Sequence, residues 1–560
     1  MSKLRKLFPY PDEVFASLFL AIVAVLSLRR LHYAVDFSDE SFYATIAQRY
    51  ALGDRPFIDE YNLRQTAGLL LAPFYWSYLK LRGSTDGVVY FLRILFFCVQ
   101  GFTAWTAYRF AGKRVPRAFA LVAAALPFAY QPFSIPTCSY NNLGCFLFAA
   151  GMFLTLSAVS EGGSTRALVL AGAVHGLSCV AYPPLGVPVA IFAVLVVWVL
   201  RTREPGAPLS RLAGYAGGVA IVGFLTALLI APGMNGFKEA LTYERMTTGA
   251  RTIDKFKGVL KSMDRLSPAH PSSVLTLAVA AVLAKQFPRW RALVFGGMVA
   301  YVGYFFSELQ PEQGGAFPGI CLSLHAAIFL GLLAVFLTGF VPAGEMRRLL
   351  AIGVAASVCA GLVTATSSDN PGCMNGGVGL FAAALIAMVA APLAAQSEGA
   401  MSLRMRLATV MVMAVAPAGM LSAAWANVYR DDPIPALTSV VRVGPYRGLA
   451  TSPGRVAQAE QLTRDVREYA PAGGRILSYY DFPAPYLSAP VRPALQTVWT
   501  DSRAKLGWLL PYYRTHRTGQ SIAVVIGRSG ISPELEGLVE SRDRLLVDRG
   551  WYRIYREPPP

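Results

Sequence analysis

Apolar residues in this chain fall in blocks of roughly 17–24 separated by short polar breaks, the length an α-helix needs to cross about 30 Å of hydrocarbon. The blocks predict thirteen spans, at 14–33, 88–110, 117–134, 140–160, 166–181, 184–200, 211–231, 272–285, 291–307, 317–340, 349–366, 376–395 and 405–426. The first follows Lys3, Arg5 and Lys6 but runs into Arg29-Arg30-Leu31-His32 instead of a small-residue cleavage site, so it reads as a retained anchor. Pro183 and Pro184 separate two blocks as a tight turn. After Trp425 the spans stop. Residues 427–560 alternate between a helical period near Arg455–Tyr469, which ends at Pro471 and Gly473-Gly474, and strand-like runs at Arg475–Tyr479, Ser521–Ile526 and Trp551–Tyr555. With a polar helix near 533–540, this tail reads as a small soluble α/β domain.

Composition agrees with a polytopic membrane protein. Residues are 54% hydrophobic and 15% charged, where a soluble chain carries about 25% charged. The net charge of +18, from 51 basic and 33 acidic residues, raises nucleic acid as a partner until the basic residues are placed. With a cytoplasmic N-terminus, the inside loops hold Arg and Lys, from Lys113 and Arg114 to Arg404 and Arg406. The short outside loops near 135–139, 182–184, 308–316 and 367–375 hold none. The tail, then extracytoplasmic, carries 18 of the 51 basic residues, and no single basic face remains for a nucleic acid. The seven cysteines lie in or beside spans without a C-x-x-C pair, so no zinc module is encoded. Cys138 and Cys373 fall at outside helix ends, where buried free thiols are the simpler reading. His175 and His325 read as packing residues, and Arg93 and Arg109 as side chains that snorkel from helix ends.

The candidate chemistry lies in the first outside segment, 34–87, which holds seven of the twenty acidic residues outside the tail. Ser38 is placed to cap a helix beginning at Asp39, and Phe42, Ile46 and Tyr50 recur at i, i+4, i+8. This predicts an amphipathic helix lying on the membrane surface and ended by Gly53. Asp39 and Glu40 then sit at its N-terminus, where the helix dipole favours ionised carboxylates. Two acids in a first turn are also ordinary helix-start residues; their place directly after the first span sets these two apart.

This segment resembles the GT-C superfamily of integral-membrane glycosyltransferases, in particular its lipid A aminoarabinose transferase and protein O-mannosyltransferase branch. The resemblance rests on Asp39, Glu40, Tyr43, Ala44, Ile46, Ala47 and Gly53-Asp54, with Pro73-Phe74-Tyr75-Trp76 beyond. It implies a mainly α, GT-C-like membrane domain of about thirteen helices (1–426), with outside segments 34–87 and 232–271, followed by an extracytoplasmic α/β domain (427–560). It also implies inverting transfer of a hexose or pentose from a polyprenyl-phosphate donor to a hydroxyl of a lipid, glycan or protein acceptor at the outer face of the plasma membrane. Where the aminoarabinose branch carries Glu-Lys-Pro-Pro, this chain has Gln65-Thr66-Ala67-Gly68, which argues against the same substrates. No cofactor is required by the pattern, and a divalent metal is left open.

A hydroxyl attacking an acetal carbon needs a positioned base, and a phosphate leaving group needs cations more than a proton donor. Asp39 is assigned as base and Glu40 as its helper or an acceptor-positioning group. Tyr43, Asp54, Asp59, Glu60, Arg64 and Gln65 are the substrate-binding candidates of the first segment, Arg64 being nearest the missing basic position. In the second outside segment Arg245, Arg251 and Lys255 sit among apolar residues, as in an interfacial helix near anionic headgroups; Arg245 is the first candidate to close over a lipid phosphate. Glu308, Gln310, Glu312, Gln313, Ser367, Asp369 and Asn370 are candidate sugar-pocket or turn residues. Tail residues Tyr479, Tyr480, Asp481, Trp499, Tyr512 and Tyr513 are candidates for sugar contact, or for core. The alternatives are a transporter or lipid flippase, for which repeat symmetry and midplane charges are the signature, and a membrane-anchored sensing or assembly protein.

Overall fold

The structure is a computed structural model that describes residues 10–203, 209–248, 254–258, 271–308, 322–367, 373–396, 401–470, 473–479, 481–500, 505–516, 522–526 and 544–556. The core of each of the thirteen apolar blocks is helical. Among the described residues eight helical stretches are long and apolar enough to cross a membrane, and Arg117–Ala129, Thr165–Ala181 and Phe381–Gln396 are apolar but shorter. The helices that position the site are α1 (Pro11–Arg30), α2 (Asp39–Ala51), α3 (Thr66–Arg82) and α4 (Val88–Ala111). Arg30 at the end of α1 donates from Nε to the carbonyl of Ala424, near the end of the last apolar helix, Leu403–Ala426. First and last spans therefore finish together, and both lead to the same face.

The tail carries a two-stranded ribbon, β1 (Ser439–Val440) with β2 (Ala450–Thr451), and a mixed sheet. The sheet comprises β3 (Arg475–Tyr479), β4 (Arg492–Pro493), β5 (Ile522–Ile526), β6 (Arg544–Asp548) and β7 (Tyr552–Arg556) in the order β4-β3-β5-β7-β6. β3 is parallel to β4 and β5, while β7 is antiparallel to β5 and β6. Parallel neighbours need crossover connections, and the helices Ala484–Leu487 and Leu506–His516 lie in those between β3 and β4 and between β4 and β5. The expected helix is present as Pro453–Tyr469. It is fastened to the β6–β7 end by Asp465, which accepts from Arg549 at 2.8 and 2.9 Å and from Tyr552 at 2.5 Å. The polar helix expected near 533–540 lies outside the described residues.

The polar face of α2 is not open to water, although its amphipathic pattern predicts that it would be. Nine of its thirteen residues are buried, Ser41, Thr45, Gln48 and Arg49 among them, because the tail covers the face that amphipathicity assigned to water. Its core is continuous with both neighbours. Phe37 meets the rings of Tyr446, Phe482 and Trp551, and Phe42 packs edge-on to Trp499 at 5.4 Å. A polar helix can be buried only if its side chains find partners. Gln48 donates to the carbonyls of Tyr486, Ala489 and Val491 and accepts from Tyr75 at 2.5 Å. Ser41 shares a 2.5 Å hydrogen bond with Tyr446. The helix end is as expected, with Gly53 at φ 92, a conformation easy only for glycine. The cap is not: the side chain of Ser38 makes no capping bond, and the carboxylate of Asp36 accepts from the backbone N–H groups of Ser38 (2.9 Å) and Glu40 (2.8 Å).

Arg93 does not snorkel either. It is buried in α4 and holds Glu40 through two parallel bonds, Nε to Oε1 at 2.7 Å and Nη2 to Oε2 at 2.5 Å. Its other protons go to the carbonyls of Leu31, Tyr33 and Ala34. This fork joins the start of α2 to a membrane helix. Removing one partner of such a pair leaves a buried, uncompensated charge, worth about 3–5 kcal/mol. Arg93→Met is expected to lower stability by about that amount in thermal unfolding of the detergent-solubilised protein. The double variant Glu40→Leu/Arg93→Met is expected to recover part of the loss; a single variant as stable as the parent would contradict the role.

Candidate functional site

The carboxylates picked out in the sequence divide into two environments. Asp54 and Glu60 converge on Arg49, whose Nε and Nη1 each stand 2.9 Å from one of them. The guanidinium also donates to the carbonyls of Asp59 and Leu495. Burial opposes the charge on Arg49, but Asp54 and Glu60 outweigh it and its pKa is raised. Asp59 accepts from Tyr512 at 2.7 Å through one oxygen and from the backbone and side chain of Arg55 through the other. Burial pushes the Glu60 carboxyl up against the pull of Arg49. Gln65 is buried beside them, accepting from Tyr50 and donating to the carbonyl of Glu60. Together with Tyr61 N–H to Gln496 O at 2.6 Å, these contacts fasten the first outside segment to the tail. Glu40, read as a helper of the base, and Asp54, Asp59, Glu60 and Gln65, read as substrate-binding residues, are thus buried and engaged by partners within the fold.

Asp39 is in the other environment. Its side chain keeps 22% exposure. Oδ2 accepts from the Tyr429 hydroxyl and stands 3.2 Å from Nη2 of Arg430, while among the described residues no hydrogen bond to Oδ1 is present. Asp36 lies behind it. Burial first, and then the Asp39 charge, push its carboxyl up to about 7, against the opposing pull of Arg430 and of the N–H groups of Glu40 and Ser38.

The charges of Asp39 and Arg64 both act on Tyr43. Burial is the main cause of its raised pKa, Tyr140, Asp39 and Tyr429 add to it, and Arg64 opposes it. The Tyr43 ring meets Tyr140 at 5.9 Å, and Tyr140 meets Tyr182 at 5.1 Å. Arg64 lies over the Tyr140 ring at 5.5 Å, and the Tyr182 hydroxyl reaches Ser367. Arg64 is also 4.0 Å from Glu244 on the helix Phe237–Thr248. That helix comes close because Gly233, just before it, faces the carbonyl of Pro56, where a Cβ would collide. Phe57 then packs on Phe237 at 5.0 Å, and Tyr61 on Tyr243 at 5.7 Å. The two long outside segments therefore meet at Arg64.

Arg245 follows Glu244 and is exposed, and Lys255 lies in the short helix 254–258. Arg251, Gln310, Glu312, Gln313, Asp369, Asn370 and Tyr480, and the side chain of Glu308, lie outside the described residues. In the tail Tyr479 and Tyr513 are buried core, Trp499 packs on Phe42 and Tyr512 holds Asp59. Cys138 is a buried free thiol. Among the described residues no three His, Cys, Asp or Glu side chains form a group that would hold a metal ion. Reasoning from sequence missed Tyr429, Arg430, Tyr140, Tyr182 and Asp36. The run Tyr429-Arg430-Asp431-Asp432, directly after the last span, was the available signal for the first two.

No family model matches the chain, and no curated protein matches it in sequence. Among solved structures it is similar to ArnT from Cupriavidus metallidurans bound to undecaprenyl phosphate, at 13% identity over 96% of this chain and 97% of that one, with a TM-score of 0.46. It is also similar to the oligosaccharyltransferase of Archaeoglobus fulgidus tethered to an acceptor peptide, at 13% identity over 91% of this chain and 69% of that one, with a TM-score of 0.44. The same archaeal enzyme in complex with an inhibitory peptide and a dolichol-phosphate matches at 12% identity over 97% and 74% of the two chains, with a TM-score of 0.43.

Proposed function

We propose that this chain is an inverting glycosyltransferase that moves a sugar from a polyprenyl-phosphate donor to an acceptor hydroxyl at the outer face of the membrane. One observation carries the reading. Of the five carboxylates singled out in the first outside segment, Asp39 is the most exposed, at 22% of its side chain against 9% or less for the others, and its Oδ1 accepts no hydrogen bond from a described residue. A carboxylate that is partly exposed and directed by neighbours on one oxygen has the placement a general base requires. Arg64, whose charge also acts on Tyr43, has what a departing phosphate requires, a cation held against an aromatic ring.

In the proposed reaction the acceptor oxygen bonds to the anomeric carbon and the bond from that carbon to the phosphate oxygen breaks. The hydroxyl proton passes to Asp39, and the lipid phosphate leaves as an anion facing Arg64. The outer-face assignment is supported by the distribution of Lys and Arg between loops. It is also supported by the shared face of the ends of the first and last spans. A hexose or a pentose fits this chemistry equally, as does a hydroxyl on lipid, glycan or protein.

The test is transfer by purified protein from a panel of polyprenyl-phosphate sugars. Asp39→Asn is expected to lower kcat by about 100- to 10,000-fold while the protein keeps its melting temperature. A folded, fully active variant would end the base assignment; lipid or solute movement without transfer would put a transporter in its place. Arg64→Met is expected to raise KM for the lipid donor about 10- to 100-fold, the loss of one charged hydrogen bond, and an unchanged KM would remove Arg64 from the donor site. Asp36 adds a pH signature. The folded state holds its proton to about pH 7, and the unfolded chain releases it near pH 4. Its contribution to stability is therefore full below about pH 4 and is lost as pH rises through about 7. Melting temperatures across that window are expected to fall less steeply in Asp36→Asn than in the parent protein, and parallel slopes would exclude the shift.

A further inference from the structure

The segment that leaves the last membrane helix reaches back to the proposed base. Tyr429 and Arg430 both act on Oδ2 of Asp39, and the guanidinium lies 5.1 Å over the Tyr429 ring. Arg430 adopts φ 52, a left-handed conformation that non-glycine residues seldom take and that persists only where surrounding contacts enforce it. The enforcing contacts come from the tail. Arg455, in the helix Pro453–Tyr469, donates to the Arg430 carbonyl and, from Nε, to the carbonyl of Val35 at 3.1 Å. Asp431 accepts from the backbone N–H of Val35 at 2.7 Å and from the hydroxyl of Thr451 in β2 at 2.6 Å. Arg455 also pairs with Asp431 at 3.6 Å. The strap is thus pinned at the Arg430 carbonyl and at Asp431, to the tail and to the loop that starts α2.

We infer that Tyr429 and Arg430 are positioning residues for the transfer: they hold one oxygen of Asp39 and leave the other oxygen to take the acceptor proton. The inference rests on the proposed role of Asp39. It also gives the tail a task in the chemistry, because Arg455 and Thr451 hold the strap in its strained form. The charged and titratable groups around Asp39 are Asp36 from the preceding loop, Tyr43 from its own helix, and Tyr429 and Arg430 from the strap. Asp481 from the tail acts on Arg430 in turn. Arg430 supplies the positive charge in direct contact with the carboxylate, so its loss should be felt as a change in the pH at which Asp39 becomes competent.

The experiment follows kcat and KM against pH for the parent protein, Arg430→Gln, Arg430→Lys, Tyr429→Phe and Asp39→Asn, with an active polyprenyl-phosphate sugar as donor. Arg430→Gln is expected to move the acid limb of kcat upward by about one to three pH units, the usual effect of an adjacent arginine on an aspartate. Donor KM should stay within about twofold, since a shift confined to kcat separates base positioning from donor binding. Arg430→Lys should return the limb most of the way, and Tyr429→Phe should move it in the same direction by less. An unmoved limb in folded Arg430→Gln and Tyr429→Phe, with Asp39→Asn inactive, would overturn the positioning role and leave the base assignment standing. An active Asp39→Asn would instead remove the base assignment beneath it. If Arg430→Gln fails to fold, the limb in Tyr429→Phe decides.

Discussion

Much of this structure depends on the burial of one polar helix. Residues 39–51 carry Glu40, Ser41, Thr45, Gln48 and Arg49, all buried, and desolvating such groups costs several kcal/mol in all unless each is met by a partner. The partners come from three directions. Arg93 on α4 takes Glu40, Tyr75 on α3 takes Gln48, and the tail supplies Tyr446 and the carbonyls of Pro483, Tyr486, Ala489, Val491 and Leu495. Neither the membrane helices nor the tail could be removed without orphaning part of that set. The contact between the two halves is therefore built from specific polar pairs together with the ring contacts around Phe37 and Phe42.

The same accounting separates chemistry from scaffold among the acids. Buried polar satisfaction absorbs Glu40 into Arg93 and gathers Asp54 and Glu60 on Arg49, where Coulomb attraction and donor geometry hold them. Asp36 is spent on the N–H groups that open α2. Asp39 is one residue before Glu40, and the turn of the helix carries its side chain away from Arg93 toward the strap and Tyr43. A carboxylate at that place is close to rigid neighbours without being enclosed by them. For the proposed role of Asp39 rigidity matters, because a base must be held near its proton before the transition state is reached.

The second outside segment packs beside Arg64, the cation of the proposed site. Phe237–Thr248 lies against residues 57–64 because Gly233 permits a close backbone approach and Phe237 and Tyr243 fill the space on the other side. Arg64 is thereby shared between Glu244 and the tyrosines. An arginine held between an acid and an aromatic face keeps its planar donors oriented, which fits the phosphate contact proposed for Arg64.

Local pattern alone settled the helical segments, the helix Pro453–Tyr469, the strands β3, β5 and β7, the turn at Gly53 and the nearness of Asp39 to the end of the first span. Each is written in neighbouring residues: runs of apolar side chains, alternation of period two, a glycine where φ must be positive. Tertiary structure alone decided which acid stays open. Glu40 meets Arg93 across 53 positions and Asp39 meets Tyr429 across 390, separations over which periodicity carries no information. The amphipathic stripe of α2 was real, but it showed only which side was apolar, and the tail that covers its polar side lies some four hundred residues further on. Hydropathy reports how a residue responds to water; whether water reaches it depends on the distant chain that folds over it.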